Sequence, residues 1–563
     1  MSTCSRDLDA IDNGKIMTRQ SDQYRTYNIR DLTTTKVLAD KVLQDGDKVF
    51  LTYLTDGRRY TYRDLDRLSN KLANGLLAQG LGRGSHVAIL MENCPEQVLG
   101  FFALGKIGAV AIPINAAVRG DLLEYFLTQS DSTAIFVEER FLHRVIELGQ
   151  NLAKTLRVVV VVPDSSPQTA MESYGDWHCV DFSSLMASSE NSPAVEVSFR
   201  DMAMIMYTSG TTGPSKGCNF SQVRTFLWGM SHAEALGYRP TDIFYVCMPL
   251  FHVSALLGSI YNALTSGSSV VLQRGFSASR FWDDVRDSGA TVANMQGSMA
   301  NILWGRQPSL NDGNHKLRMC QVSPCPEFAL DFEERFRVRL VSGYGLTDYN
   351  SSHALTLSDP VWKIGSAGRV RRGVEARIVD EDDFDVPTNQ VGELILRDNN
   401  PWGAGEGYYK MPEASLASLR NGWFHTGDLA RIDEDGYMWF IGRAKDSIRR
   451  RGENISAFEV EQVVKKHPAV MDAAAFPVRS ELGEDDVAIA IVLRSGHYLS
   501  EVDLINYCSG GMAYFMVPRY IRWVSDLPRT LSHKVQKFKL REESEMDRSS
   551  LWDRDAAGVV LSR

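Results

Sequence analysis

The chain has 563 residues, 44% of them apolar and 23% charged, with a net charge of −9. That length exceeds what one hydrophobic core serves, so two or more domains are expected in an otherwise ordinary globular composition. Mild acidity with no long basic block argues against nucleic acid as the main partner; Arg449, Arg450 and Arg451 form a basic patch that suits a small phosphate-bearing ligand.

Residues 1 to about 50 are polar and read as a loosely ordered start without a signal-peptide core. From there helical and strand patterns alternate. Tyr62–Leu81 carries apolar residues at helical spacing, His86–Met91 is a short strand, Pro95–Gly108 is helical and Ala109–Pro113 is a strand. Residues 98–114 are the most apolar long stretch, but Lys106 and Pro113 interrupt it, so it reads as helix then strand and not as a membrane span. Thr133–Val137 and Val158–Val162 are further short buried strands. The alternation predicts an α/β fold of mostly parallel sheets covered by helices.

Residues 202–207 form an apolar strand leading into Tyr207–Gly217, Y-T-S-G-T-T-G-P-S-K-G. This loop suits phosphate: glycines let backbone N–H groups curl around an anion, and hydroxyls and Lys216 add donors. It lacks the G-x-x-x-x-G-K-[ST] spacing of a nucleoside-triphosphatase loop, because Gly217 follows Lys216. Further along, the character changes at 441–447. Beyond it come a helix near Ala457–His467, strands near Met471–Pro477 and Val487–Leu493, and a helix near Leu499–Cys508. A boundary near Gly442 gives domains 1–441 and 442–563. The eight cysteines form no C-x-x-C pair or cysteine–histidine cluster, which points to reduced thiols and a cytoplasmic setting.

The Tyr207–Gly217 string resembles the phosphate loop of the adenylate-forming superfamily, which includes acyl-CoA synthetases, luciferases and peptide-synthetase adenylation domains. The resemblance runs from about residue 50 to 541, with motifs in the expected order, and is strongest to the carnitine/crotonobetaine-CoA ligase type. It implies a large N-terminal domain, a small mobile C-terminal α+β domain, and chemistry with ATP, Mg²⁺ and CoA. A carboxylic acid would attack the α-phosphate to give acyl-AMP, and the CoA thiolate would displace AMP. Segments Tyr245–Tyr261 and Asn294–Trp304 are expected to line the acyl pocket, and their Ala, Gly, Ser, Leu and Met content suggests an apolar, bulky acyl group. No protein nucleophile is needed; positioning and charge neutralisation do the catalysis.

The resemblance also implies roles for individual residues. Thr208, Ser209, Gly210, Thr211, Thr212, Gly213 and Lys216 would hold phosphate. In Gly343–Asp348, Tyr344 would lie against adenine, Thr347 would contact the α-phosphate and Asp348 would help hold Mg²⁺. Asp428, in W-F-H-T-G-D-L, would grip the ribose hydroxyls, with Arg443 adding a ribose or phosphate contact and Lys445 serving as hinge. Arg449, Arg451 and Gly452 lie in the loop that would swing in for thioester formation. His252, in P-L-F-H-V-S, would border the acyl pocket, and Lys534 would bridge carboxylate and α-phosphate during adenylation. Gly392–Leu394 fits as a structural element.

Four departures fall on the adenylation side. Asp348 stands where the family has Glu, one methylene shorter, which retracts the carboxylate by about 1.5 Å. His533 replaces a glycine before Lys534, Gln222 stands in place of a frequent histidine, and Val322 in Q-V-S-P-C-P replaces a glycine and would crowd the nucleotide. They leave several readings open. One is a complete ligase; another converts a supplied acyl-AMP to acyl-CoA and depends on a separate adenylating enzyme. The others are an adenylating enzyme with an amine or carrier-protein acceptor, and a non-catalytic acyl-AMP binding protein.

Overall fold

The computed structural model describes residues 27–149, 152, 155–164, 177–208, 215–323, 325–326, 328–443, 448–450, 453–455, 457–480, 483–528, 535 and 537–561. Two helix-covered sheets dominate the first 370 residues, as the alternating pattern predicts. In the first, six strands run parallel in the order His178–Asp181, Val158–Val162, Ala134–Glu138, His86–Leu90, Val110–Ile114, Met202–Thr208. Lys216–Ser221 joins the edge antiparallel. Pro113 lies on the flank facing Met202–Thr208, where pairing is confined to Ala111 and Met204, because proline offers no N–H to a ladder.

The second sheet has nine strands around a parallel centre that contains Ile243–Val246, Val292–Gln296, Met319–Ser323 and Arg339–Gly345. The first sheet buries near-continuous apolar runs such as Val158–Val162, as strands covered on both faces must, whereas the second mixes polar residues into strands such as Val292–Gln296 and Met319–Ser323. Helix Tyr62–Ala78 shows how local sequence fixes an element. Thr61 and Asp64 form a reciprocal capping box at its start, and Leu65, Leu72, Ala73 and Leu76 bury one face. Helix Pro95–Lys106 is buried apart from Glu96, and its Lys106 ammonium is satisfied by Asp66 at 2.7 Å and Asn70 at 2.6 Å.

A third, antiparallel sheet includes Gly392–Asp398, Trp423–Ile432 and Met438–Arg443. The C-terminal part follows with its own apolar cluster from Ile448 to Ile521, built on the hairpin Ile448–Arg450/Glu453–Ile455, helix Ala457–Lys465, strands Val470–Arg479 and Asp485–Leu493, and helix Glu501–Gly511. Among the described residues, no helix is long and apolar enough to cross a membrane.

Candidate active site

One cavity of about 1260 Å³ lies where the sheets converge on the C-terminal part. Strand Met202–Thr208 and strand Lys216–Ser221 form the hairpin whose tip is the phosphate loop, with Thr208 paired to Lys216. Thr208 and Lys216 line the cavity; Ser209, Gly210, Thr211, Thr212 and Gly213 lie outside the described residues. Residues 406–409 pair along this hairpin, Tyr409 N–H donating to Gly217 O at 2.7 Å. That pairing sets Tyr408 beneath Lys216, whose ammonium lies 4.6 Å from the ring centroid, and the Tyr408 hydroxyl donates to Asp348 at 2.5 Å. Tyr408 thus ties the phosphate hairpin to the Gly343–Asp348 motif.

Tyr344, Thr347 and Asp348 all border the cavity, as does Asp428. The Tyr344 hydroxyl donates to Asp428 Oδ2 at 2.5 Å, and its ring lies 6.2 Å from that of Phe440. Asp428 is 2% exposed on strand Trp423–Ile432. The turn before it is braced by Glu393, which accepts from Gly427 N–H at 3.0 Å and pairs with His425 Nδ1 at 2.9 Å. Gly427 has φ of 69°, a conformation that a side chain disfavours. The expected structural role of Gly392–Leu394 is therefore this brace. Arg443 pairs with Asp428 across the ladder.

Arg224 holds the loop from behind. It is fully buried on helix Gln222–Leu236, and its guanidinium stacks on Phe220 at 3.8 Å. It donates to Thr347 O and Tyr349 O, each at 2.8 Å, and to Asn219 O. Burial pulls its pKa below the ordinary arginine value, yet an arginine stays charged. One planar fork thus fixes the phosphate hairpin and the Thr347–Tyr349 turn together.

Two of the four departures lie away from the nucleotide wall. Gln222 is buried in the core, where its Oε1 accepts from Thr34 N–H at 3.0 Å and Thr34 hydroxyl at 2.9 Å while its amide donates to Gly105 O at 3.1 Å. Val322 is also fully buried, because strand side chains alternate and its neighbours Gln321 and Ser323 are the ones that border the cavity. The expected crowding by Val322 is thereby overturned. His533 and Lys534 lie outside the described residues, as do Lys445, Arg451 and Gly452.

The C-terminal part reaches the cavity through its hairpin. Arg449 Nη2 donates to Gln296 Oε1 at 3.0 Å and Ser323 O at 3.1 Å, and Glu453 pairs with His252 Nε2 at 3.1 Å. Glu459 accepts from the Ser215 N–H at 3.0 Å and from its hydroxyl; burial raises the carboxyl pKa to about 7. Both parts thus meet at the phosphate hairpin and at His252.

Sequence reasoning places the acyl pocket along Tyr245–Tyr261 and Asn294–Trp304. From these segments, among the described residues, only Phe251, His252, Val253, Ser254 and Gln296 border the cavity. The wide turn Leu256–Tyr261, a π-helix running on from Val253–Ala255, is buried behind them. Trp228 and His232 border the cavity from helix Gln222–Leu236 and were missed, since a W-x-x-x-H spacing on an apolar helix reads as core. Tyr408 and Arg224 were missed too; the only signal for them is an arginine and a tyrosine pair near glycine-rich motifs.

The AMP-binding enzyme family model matches residues 38–409, and the model of its C-terminal domain matches 459–534. The chain belongs to this family of adenylate-forming enzymes. It is 31% identical over 506 residues to crotonobetaine/carnitine–CoA ligase of Salmonella enteritidis PT4, a match covering 88% of this chain and 96% of that protein. Its fold is similar to o-succinylbenzoate CoA synthetase of Bacillus subtilis, solved with a product analogue, with TM-score 0.78, 24% identity and 90% and 98% of the two chains covered. An anthranilate CoA ligase solved with anthranoyl-AMP shares the fold at TM-score 0.67 and 24% identity, with 94% and 99% covered.

Proposed function

We propose that this protein is an AMP-forming acid–thiol ligase that makes acyl-CoA from a carboxylic acid, ATP and CoA. The observation that carries the reading is the meeting, in one cavity, of Tyr344, Thr347, Asp348 and Asp428 from the large part with Arg449 and Glu453 from the small one. The acid's carboxylate oxygen attacks the α-phosphorus, the bond to pyrophosphate breaks, and acyl-AMP forms. The CoA thiolate then attacks the acyl carbon and AMP leaves with the bonding pair. Asp428 accepts from the ribose hydroxyls in exchange for Tyr344, and Thr347 and Lys534 neutralise charge that builds on the α-phosphate. Asp348, a carboxylate at the cavity held by the Tyr408 hydroxyl, would help hold Mg²⁺, which would supply charge neutralisation. His252 borders the acyl and thiol path.

The thioester-side hairpin stands at the cavity in this arrangement, which supports its assignment to the second half-reaction, with Arg449, Arg451 and Gly452 on the CoA path and Lys445 as hinge. The division between the parts is put at 444–447 and not at Gly442, because Met438–Arg443 stays paired in the third sheet while the second core begins at Ile448. With Gln222 and Val322 turned away, Asp348 and His533 remain as departures, and a complete ligase is the better reading. Seven free cysteines among the described residues suit a reducing cytoplasm.

Acid-dependent exchange of pyrophosphate into ATP, run beside mass detection of acyl-CoA, tests this. Exchange and acyl-CoA together are expected, and Lys534→Ala should suppress exchange by about 10²–10³. Acyl-CoA from synthetic acyl-AMP without exchange would mean dependence on a separate adenylating enzyme. Exchange with an amide or carrier thioester as the product would replace CoA as acceptor.

A further inference from the structure

Near the end of the Tyr207–Gly217 loop, Ser215 stands where the large and small parts touch. It borders the cavity beside Thr208 and Lys216 and is 3% exposed. Its N–H donates to Glu459 Oε1 at 3.0 Å, and its hydroxyl donates to the same oxygen. Its carbonyl accepts from the Tyr125 hydroxyl at 2.8 Å. All three polar groups of one loop residue are thus held, two of them by the small part. The contact is built into the docking face. Tyr125 lies on helix Gly120–Gln129, whose first turn carries Asp121, paired with Lys466, and Leu122, packed on the small part's apolar cluster. Backbone atoms of Gly510 and Gly511 lie 3.9 Å from where a Cβ on Gly120 would stand.

What Glu459 covers is a set of anion donors. A backbone N–H and a hydroxyl at Ser215, with the Lys216 ammonium one residue on, serve a phosphate oxygen as readily as a carboxyl. Thr208, paired with Lys216 across the hairpin, adds a second hydroxyl at the same cavity. Carboxyl and phosphate cannot share Ser215, because its single N–H and single O–H are both spent on Glu459. Leaving those donors with neither partner costs free energy in a residue this buried. Two arrangements satisfy them: Glu459 on Ser215 with the small part docked, or a phosphate on Ser215 with the small part away.

We infer that Glu459 and a phosphate group compete for Ser215, so that a diphosphate on the loop undocks the small part and docking expels the diphosphate. Glu459 and Ser215 are then positioning residues for the second half-reaction, bringing the Ile448–Ile455 hairpin to the cavity only over an empty phosphate loop. The coupling is reciprocal: two occupants of one site weaken each other by the same factor. Inhibition by pyrophosphate gains a component separate from reversal of the first step, and other free di- and triphosphates share it. The place in the reaction rests on the ligase reading; the competition for Ser215 does not.

Methylenebisphosphonate serves as the diphosphate, with no acyl-AMP present, so no bond is made or broken. Docking is read in the full chain carrying Asp121→Cys and Lys466→Cys, by the rate at which a short bismaleimide joins those two positions, located by peptide mass. Saturating bisphosphonate should slow that crosslink by about threefold or more. In the chain without the cysteine pair it should weaken calorimetric binding of CoA to the AMP-loaded protein. Both effects should vanish in Glu459→Ala and persist in Glu459→Gln, whose amide oxygen still accepts at Ser215. A merely structural Glu459 would change crosslinking equally with and without the bisphosphonate, which would overturn the inference. So would an effect that survives Glu459→Ala, or no effect in a protein that binds the bisphosphonate. A protein that binds no bisphosphonate would overturn it and break the ligase reading as well, whereas competition without acyl-CoA formation from any acid would break that reading alone.

Discussion

The two faces of the cavity are held by different means. On the large part, Arg224 and Glu393 fix the nucleotide loops through bonds to backbone atoms, Thr347 O, Tyr349 O and Gly427 N–H. On the small part, contact is made by exchangeable pairs: Arg449 with Gln296, Glu453 with His252, Glu459 with Ser215, and Lys466 with Asp121 at the exposed rim. Bonds of the first kind are lost only by local unfolding, whereas water can replace each of the second. A surface that must stay registered on a nucleotide needs the first kind, and one that must leave after each half-reaction needs the second.

Arg224→Met should break the fixed face most severely. It strands Thr347 O and Tyr349 O, which costs on the order of 3 kcal/mol, and a loop misplaced by about 1 Å should lower exchange roughly a hundredfold. A lower unfolding midpoint and the exchange rate measure both effects, and Arg224→Lys should recover only part because a point charge cannot span two carbonyls. Tyr408→Phe keeps the ring under Lys216 but removes the donor to Asp348. About tenfold slower exchange is expected, with acyl-CoA formation from supplied acyl-AMP unchanged. Equal loss in both half-reactions would dissolve the distinction between the faces.

Glu453→Gln tests the exchangeable face: it should slow thioester formation by about three- to tenfold and leave exchange alone. The smallest effect concerns pH. Docking raises the Glu459 carboxyl pKa from 4.5 to about 7, so the docked form holds a proton that the undocked form releases. Docking is thus fully favoured below about pH 4.5 and loses that contribution as pH rises through about 7. Thioester formation divided by exchange should fall a few-fold between about pH 5 and pH 8, and Glu459→Gln should flatten the fall.

Much of this was legible in the chain. Periodicity located the strands it picked out to within a residue or two, as with the apolar run Val158–Val162, but it left the mixed-polarity strands of the second sheet unread. The motifs brought Tyr344, Asp348, Asp428 and His252 to one cavity. The failures share a cause: which way a side chain points. Val322 is a cavity residue in the motif and a core residue in space because its strand puts every second side chain on the far face. Trp228 and His232 look like core because they are core on all sides but one. Arg224 is visible only when residues more than a hundred positions apart are brought together.

The wide turn at Leu256–Tyr261 has a consequence for divergence. Such a turn accommodates one residue more than an α-helix needs, and it lies just after His252 and Val253. Deleting a single residue there would restore regular winding with the flanking segments kept in register, because the wide turn is what absorbs the extra residue. Helix Asn262–Ser266 and the segment that carries His252 would hold their places while only the side chains of the turn itself shifted. The packing behind the cavity can therefore vary by insertion or deletion at one position, with the nucleotide wall untouched.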